Sequence, residues 1–131
     1  MSKVQHSGSR DGIVVLEKQG GIATVSINRS EASDSINNAL RHDLSAVFDD
    51  LVADRHVRVV VLTSAGDEPF SVGLDVAELA GLNAQEIEAV GRQAKGLHDR
   101  MLAMQVPIIA AVKGACLGAG SELALHADIP L

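Results

Sequence analysis

The sequence predicts an α/β protein whose sheet is mostly parallel, and three observations support this fold class. Two short apolar runs, residues 59–63 and 107–112, have the composition of strands that are covered on both faces. A segment with helical periodicity precedes each run, at 37–53 and at 84–104. This order of helix, strand, helix and strand requires crossover connections, which are right-handed and produce parallel pairing.

A hairpin is predicted before the first helix. Residues 13–18 are apolar and β-branched, and Gly20 and Gly21 form a turn signal. Residues 22–28 then alternate along the chain, as expected of a second strand.

The two predicted helices each carry an apolar stripe. In the first, the residues on one helical face are Ile36, Leu40, Leu44, Val47, Phe48 and Leu51. In the second, apolar residues step by three and four positions, at Ile87, Val90, Ala94, Leu97, Met101 and Met104. A glycine-rich turn at 114–120 follows the last strand, and residues 121–126 can begin a further helix.

Composition restricts the class of protein. The 131 residues suit one domain, and 47 % apolar residues argue against disorder. With 11 basic residues against 17 acidic ones and no basic cluster, no nucleic-acid partner is predicted. The longest apolar runs, such as 107–112, are too short to span a bilayer, so no membrane partner is predicted. The single Cys116 excludes a disulfide framework and fits a reducing, cytoplasmic compartment.

Residues 1–11 are polar and lack an apolar centre, so they are not a secretory signal. We expect a disordered N-terminal tail over 1–11 and one folded unit over 12–131.

Two loops are candidates for a functional site. Residues 69–75 and 114–122 each follow an apolar strand and contain glycine. Ligands of such sheets gather at the carboxyl ends of the strands, near helix N-termini. Two exposed backbone N–H groups directed at one point would form an oxyanion hole; the alternative is that the glycines only make tight turns.

Glu122 stands among apolar residues directly after the second loop. A partly buried carboxylate there could act as a general acid or base, whereas the simpler interpretation is an acidic residue favoured by the helix dipole. Glu122 and His126 are four positions apart, but no third ligand accompanies them, so no metal site is predicted. His98 is interpreted as a solvated residue on the polar side of its helix, and Cys116 as a small buried thiol.

Three segments in order resemble the crotonase, or enoyl-CoA hydratase/isomerase, superfamily. They are the early segment NRSEASDSINNAL (28–40), the loop PFSVGLD (69–75) and the strand, turn and helix VPIIAAVKGACLGAGSELALHAD (106–128). The resemblance covers about residues 13–131. It implies a crotonase-like ββα spiral, here truncated after the second oxyanion-hole loop and its helix.

The resemblance also implies roles for individual residues. The N–H groups of Val72 and Ala119 match the two oxyanion-hole donors, and Glu122 matches the first of two catalytic glutamates. The family commonly has Ala and Gly at the two donor positions. Further acyl-CoA-binding positions are implied at Ala32, Asp34, Ser35, Gly73, Leu74, Asp75 and Gly118. The family usually has Asn where Asp34 stands and Pro where Ser30 stands.

The implied activity is the addition of water to a 2-enoyl-CoA, a lyase reaction of fatty acid metabolism. No separate cofactor is implied, because coenzyme A is part of the substrate, and the expected assembly is a homotrimer or hexamer. The second glutamate would lie beyond Leu131, so we expect residues 12–131 to be an incomplete core with weak activity or none. The alternatives are a non-catalytic fragment that binds acyl-CoA or a partner subunit, and another crotonase chemistry such as isomerisation, thioester hydrolysis or decarboxylation.

Overall fold

The computed structural model describes residues 3–5, 12–67 and 69–131, and for 3–5 the backbone only. The strands are β1 (Lys3–Gln5), β2 (Val14–Gln19), β3 (Ile22–Ile27), β4 (Val59–Ser64), β5 (Ile108–Ala110) and β6 (Ile129–Pro130). The helices are α1 (Asn38–Ala53), α2 (Val76–Leu79), α3 (Ala84–Leu102) and α4 (Ala119–Leu125), and a 3-10 turn spans Ser30–Ala32.

The six strands form one sheet in sequence order. β1, β2 and β3 pair antiparallel, and β3, β4, β5 and β6 pair parallel through helical crossovers. The predicted α/β class and the opening hairpin are therefore confirmed.

The core lies between one face of the sheet and α1. Ala23, Val25 and Ile27 of β3 are fully buried, and in register with them β4 buries Val60 and Leu62. From α1, the side chains of Leu40, Leu44 and Phe48 are buried against this face, as the helical periodicity predicted. α3 packs on α1.

β4 and β5 differ from the prediction that both of their faces are covered. Along β4, Val60, Leu62 and Ser64 are buried while the residues between them are only half-buried. In β5, Ile109 is likewise half-buried between two buried neighbours. Along both strands the buried residues alternate with half-buried ones, so one face of the sheet is covered more completely than the other.

The boundaries of the helices follow their capping residues. Asn37 caps α1, because its side-chain oxygen accepts a hydrogen bond from Leu40 N at 2.9 Å. Asn83 and Glu86 form a capping box at the start of α3. α4 begins at Ala119, two residues before the predicted start, and α2 was not predicted at all.

Lys3–Gln5 differ from the prediction that residues 1–11 form a disordered tail. These residues form β1, an antiparallel strand on β2, because the outer edge of the hairpin offers backbone groups for pairing. The predicted disorder of residues 1–2 and 6–11 lies outside the described residues.

Candidate functional site

Both candidate loops lie in a second, smaller set of parallel backbone contacts beside the main sheet. Ser71 bridges to Cys116, and Leu74 bridges to Ile36. Ser71 N donates to Ala115 O at 3.2 Å, and Leu117 N donates to Ser71 O at 3.1 Å. Loops that are far apart in sequence are thus held together by main-chain hydrogen bonds.

The two loops approach so closely that glycine is required at their contact. A Cβ on Gly120 would lie 2.7 Å from the carbonyl oxygen of Ser71. Gly73 has a φ of 105° and faces the other loop, since a Cβ there would lie 3.6 Å from Ala119 N. The glycines of the two loops therefore do more than make tight turns, because they allow residues 71–73 to pack against residues 117–120.

Two backbone donors in this contact have no acceptor. Among the described residues, neither Val72 N–H nor Ala119 N–H makes a hydrogen bond to the protein. Ala119 is the first residue of α4, where N–H groups lack partners within the helix and the helix dipole favours negative charge. Both groups are therefore able to donate to a bound oxygen.

Glu122 lies three residues after Ala119, about one helical turn or ~4.5 Å along the axis of α4. Its side chain is exposed, so the expectation of partial burial is wrong. Its carboxylate makes no hydrogen bond or ion pair to the described residues, and it is available to a ligand.

Glu122 and Ala119 line a cavity of about 450 Å³ between α3 and α4. Its walls are largely apolar, with Val90, Ala94 and Leu97 from α3 and Leu74 from the first loop. Only the C-terminal half of the apolar stripe of α3 is buried, at Leu97 and Met101, and residues of its N-terminal half such as Val90 face the cavity. Val72, Gly73 and Gly118 are not among its lining residues.

A histidine that sequence analysis assigned to solvent is part of this cavity. The ring of His98 is half-buried and stacks on His126, with ring centroids 3.9 Å apart and planes inclined by 12°. Burial lowers the pKa of His98, and the neighbouring His126 lowers it further, while Glu122 and Asp99 act in the opposite direction. Its partner is 28 residues away, beyond the reach of helical periodicity.

The early segment carries structural contacts. Asp34 is fully buried with a φ of 55°, and its Oδ1 accepts a hydrogen bond from Arg29 N at 2.6 Å. Arg29 also donates to the carbonyl oxygen of Ser35 at 2.6 Å and pairs with Asp75 at 3.3 Å. Ala32 is half-buried in the adjoining turn. Coenzyme A binding by this segment stays a prediction.

Asp75 links that segment to the first loop. Its Oδ1 caps α2 by accepting from Glu78 N at 3.2 Å. This hydrogen bond lowers the pKa of Asp75, and the Arg29 guanidinium lowers it further against the opposing effect of burial. Asp75 is therefore a charged, ordered anchor of the loop.

Within 12–67 and 69–131, no three His, Cys, Asp or Glu side chains converge to hold a metal ion. Cys116 is a free, half-buried thiol packed against the core. No helix in the part of the chain that the structure describes has the length and apolarity needed to cross a membrane.

Comparison with known proteins places this arrangement in a family. Residues 17–131 match the family model of enoyl-CoA hydratase/isomerase. The chain is 35 % identical over 116 residues to a short-chain-enoyl-CoA hydratase of Clostridium acetobutylicum, which covers 88 % of this chain and 44 % of that protein. It is 33 % identical over 113 residues to human mitochondrial methylglutaconyl-CoA hydratase, covering 86 % and 33 % of the two chains.

Solved structures agree in fold. An enoyl-CoA hydratase/carnithine racemase from Magnetospirillum magneticum superposes with a TM-score of 0.88 at 35 % identity, over 91 % of this chain and 45 % of that one. An enoyl-CoA hydratase from Bacillus anthracis superposes with a TM-score of 0.87 at 28 % identity, over 91 % of this chain and 46 % of that one. The chain thus spans less than half the length of these relatives. It belongs to the enoyl-CoA hydratase/isomerase family, whose fold it adopts over residues 17–131.

Proposed function

We propose that this protein is an enoyl-CoA hydratase that adds water across the double bond of a 2-enoyl-CoA thioester. One observation carries the proposal: two N–H groups without acceptors, at Val72 and Ala119, lie on loops packed against each other, with Glu122 one turn further along α4. Family membership supports the same chemistry.

In this mechanism, the two N–H groups donate to the thioester carbonyl oxygen. When the water oxygen attacks Cβ, the thioester becomes an enolate and its carbonyl oxygen takes up negative charge. The two N–H donors stabilise this charge. Loss of one such donor typically lowers the rate by about 100- to 1,000-fold.

Glu122 accepts a hydrogen bond from the attacking water and takes its proton, and it then returns this proton to Cα of the enolate, so that the H and OH of one water are added across the double bond. A group of this kind contributes about 100- to 10,000-fold. The apolar walls of the cavity, including Val90 and Leu97, would hold the acyl chain. The second glutamate implied by the crotonase resemblance would lie outside residues 1–131.

The alternative function is binding of acyl-CoA without turnover. The exposure of Glu122 and its lack of a hydrogen-bonding partner among the described residues favour it, because a free carboxylate is not held in a reactive position. In that case the same two N–H groups bind the thioester and no hydration follows.

We also propose that the protein acts in the cytoplasm as a homo-oligomer of three or six copies. The unpaired cysteine supports the compartment. Ile22 and Ile129 are exposed apolar side chains on the less covered face of the sheet, and they support self-association.

The test is hydration of crotonyl-CoA, followed by loss of the enoyl-thioester absorbance. Glu122→Gln is expected to lower the rate by about 100-fold or more. Glu88→Gln, an exposed glutamate on α3, is the matched control and is expected to leave it unchanged. Equal rates in the two variants would contradict the role of Glu122. Binding of crotonyl-CoA without hydration would establish the alternative.

A further inference from the structure

We propose that His98 is a further catalytic residue of this site, accepting a hydrogen bond from the water that Glu122 activates. The inference rests on the proposed hydratase function and adds a water-binding group to it.

His98 and Glu122 lie on the same cavity. His98 projects from α3 into the same cavity that Glu122 lines from α4. Apart from these two residues, the charged side chains that line the cavity are already paired: Arg41 with Glu78 at 2.9 Å, and Lys95 with Asp99 at 2.7 Å. Glu122 and His98 are thus the polar groups left to meet a small ligand there, together with the outer edge of His126.

The orientation of the imidazole also supports this role. His126 Nδ1 lies 2.6 Å from the carbonyl oxygen of Glu122, and because a carbonyl only accepts, this nitrogen carries a proton. The hydrogen bond fixes the His126 ring, and stacking at 3.9 Å then fixes the plane of His98 against it. A ring held in this way can present an acceptor nitrogen without losing side-chain freedom when the ligand binds.

The protonation state of His98 supports it as well. The groups that face His98 are His126 and Glu122 from α4 and Asp99 from its own helix. Burial and His126 outweigh the two carboxylates and lower the pKa of His98 below its ordinary value of 6.5. At neutral pH the ring is therefore uncharged, with one nitrogen able to accept a hydrogen bond from water.

The first experiment uses the intact chain and butyryl-CoA, a saturated thioester that cannot be hydrated. Two-dimensional NMR follows the backbone amides of Val72 and Ala119 and the ring nitrogens of His98, with exposed His42 as the reference. The inference predicts that the two amides and His98 shift on saturation while His42 does not. Shifts of the amides with an unmoved His98 would overturn the inference and leave the proposed function standing. No shift at the amides would overturn both.

The second experiment compares His98→Phe with His42→Phe in crotonyl-CoA hydration between pH 5 and 8. Phenylalanine retains the stacking on His126 but offers no acceptor. In the unsubstituted chain, the rate should fall with decreasing pH as His98 becomes protonated. His98→Phe should lower the neutral rate about tenfold, the effect of one neutral hydrogen bond, and flatten this acid decline. An unchanged rate and pH profile in His98→Phe would overturn the inference.

Discussion

Gly120 lies against Ser71, so that a Cβ at position 120 would be 2.7 Å from the Ser71 carbonyl oxygen and 2.8 Å from its Cβ. Neither atom is the end of a flexible side chain, so an added methyl group can fit only if the loops move apart. We predict that Gly120→Ala lowers the free energy of unfolding by about 1–3 kcal/mol.

The matched control is Gly91→Ala on α3, where a Cβ would meet open space. This change should stabilise the protein by up to about 1 kcal/mol, because alanine favours helix. Urea unfolding measures both variants. If Gly120→Ala were as stable as Gly91→Ala, the close packing of the two loops would be refuted.

A second prediction concerns the ion pair between Arg41 and Glu78, whose atoms are 2.9 Å apart. The Arg41 side chain is 2 % exposed, whereas that of Glu78 is 25 % exposed. Glu78→Gln leaves a buried guanidinium without its counterion and should destabilise the fold by about 3 kcal/mol. Arg41→Met leaves the carboxylate in contact with water and should be less destabilising. Chemical denaturation measures the loss of stability in each variant. A larger loss in Arg41→Met than in Glu78→Gln would contradict this prediction.

A third prediction concerns acid stability. The Lys18 ammonium, 2.6 Å from Asp54, lowers the pKa of that carboxyl below its ordinary 3.8, and the His56 backbone N–H lowers it further. A carboxylate with a depressed folded-state pKa stabilises the fold above its unfolded value, and this contribution is lost as pH falls through the folded value. Unfolding midpoints measured from pH 6 to pH 2 should therefore fall less steeply in Lys18→Met than in the unsubstituted chain. Lys95→Met, which removes an exposed pair, should leave the steepness unchanged.

A fourth prediction follows from the lowered pKa of His98. Between its folded and unfolded values, the unfolded chain binds more protons than the folded chain. The contribution of His98 to the free energy of unfolding is therefore fully present above about pH 6.5 and declines as pH falls below that value. His98→Phe should remove part of this decline in urea midpoints measured from pH 8 to pH 5, and His42→Phe should not. A decline of equal size in the unsubstituted chain and in both variants would mean that His98 has the same pKa in the folded and the unfolded chain.

The sequence was sufficient for the parts of the fold that depend on local pattern. The burial of Leu44 and Phe48 follows from the helical period of α1, and the hairpin follows from its glycine turn. α2 was missed because its four residues are too few to show a period, although Asp75 is a recognisable N-cap. The half-buried face of β4 was not predicted, because an apolar run does not say which face is covered.

The site divides in the same way. The loops at 69–75 and 114–122 could be found from glycine and from the crotonase resemblance, because both are continuous in sequence. The exposure of Glu122 and the stacking of His98 on His126 could not be found, because they depend on how α3 and α4 are placed relative to each other. Periodicity assigned His98 to the polar face of a helix and carried no information about the ring opposite it.

The N–H groups without an acceptor at positions 72 and 119 belong to the backbone, so they do not depend on which side chains these positions carry. Every amino acid except proline supplies the same N–H, so mutation can exchange the side chain while the donor persists. The side chains of Val72 and Ala119 can therefore change without loss of either donor. The folding of the two loops, which depends on Gly73 and Gly120, is the feature that selection would have to preserve.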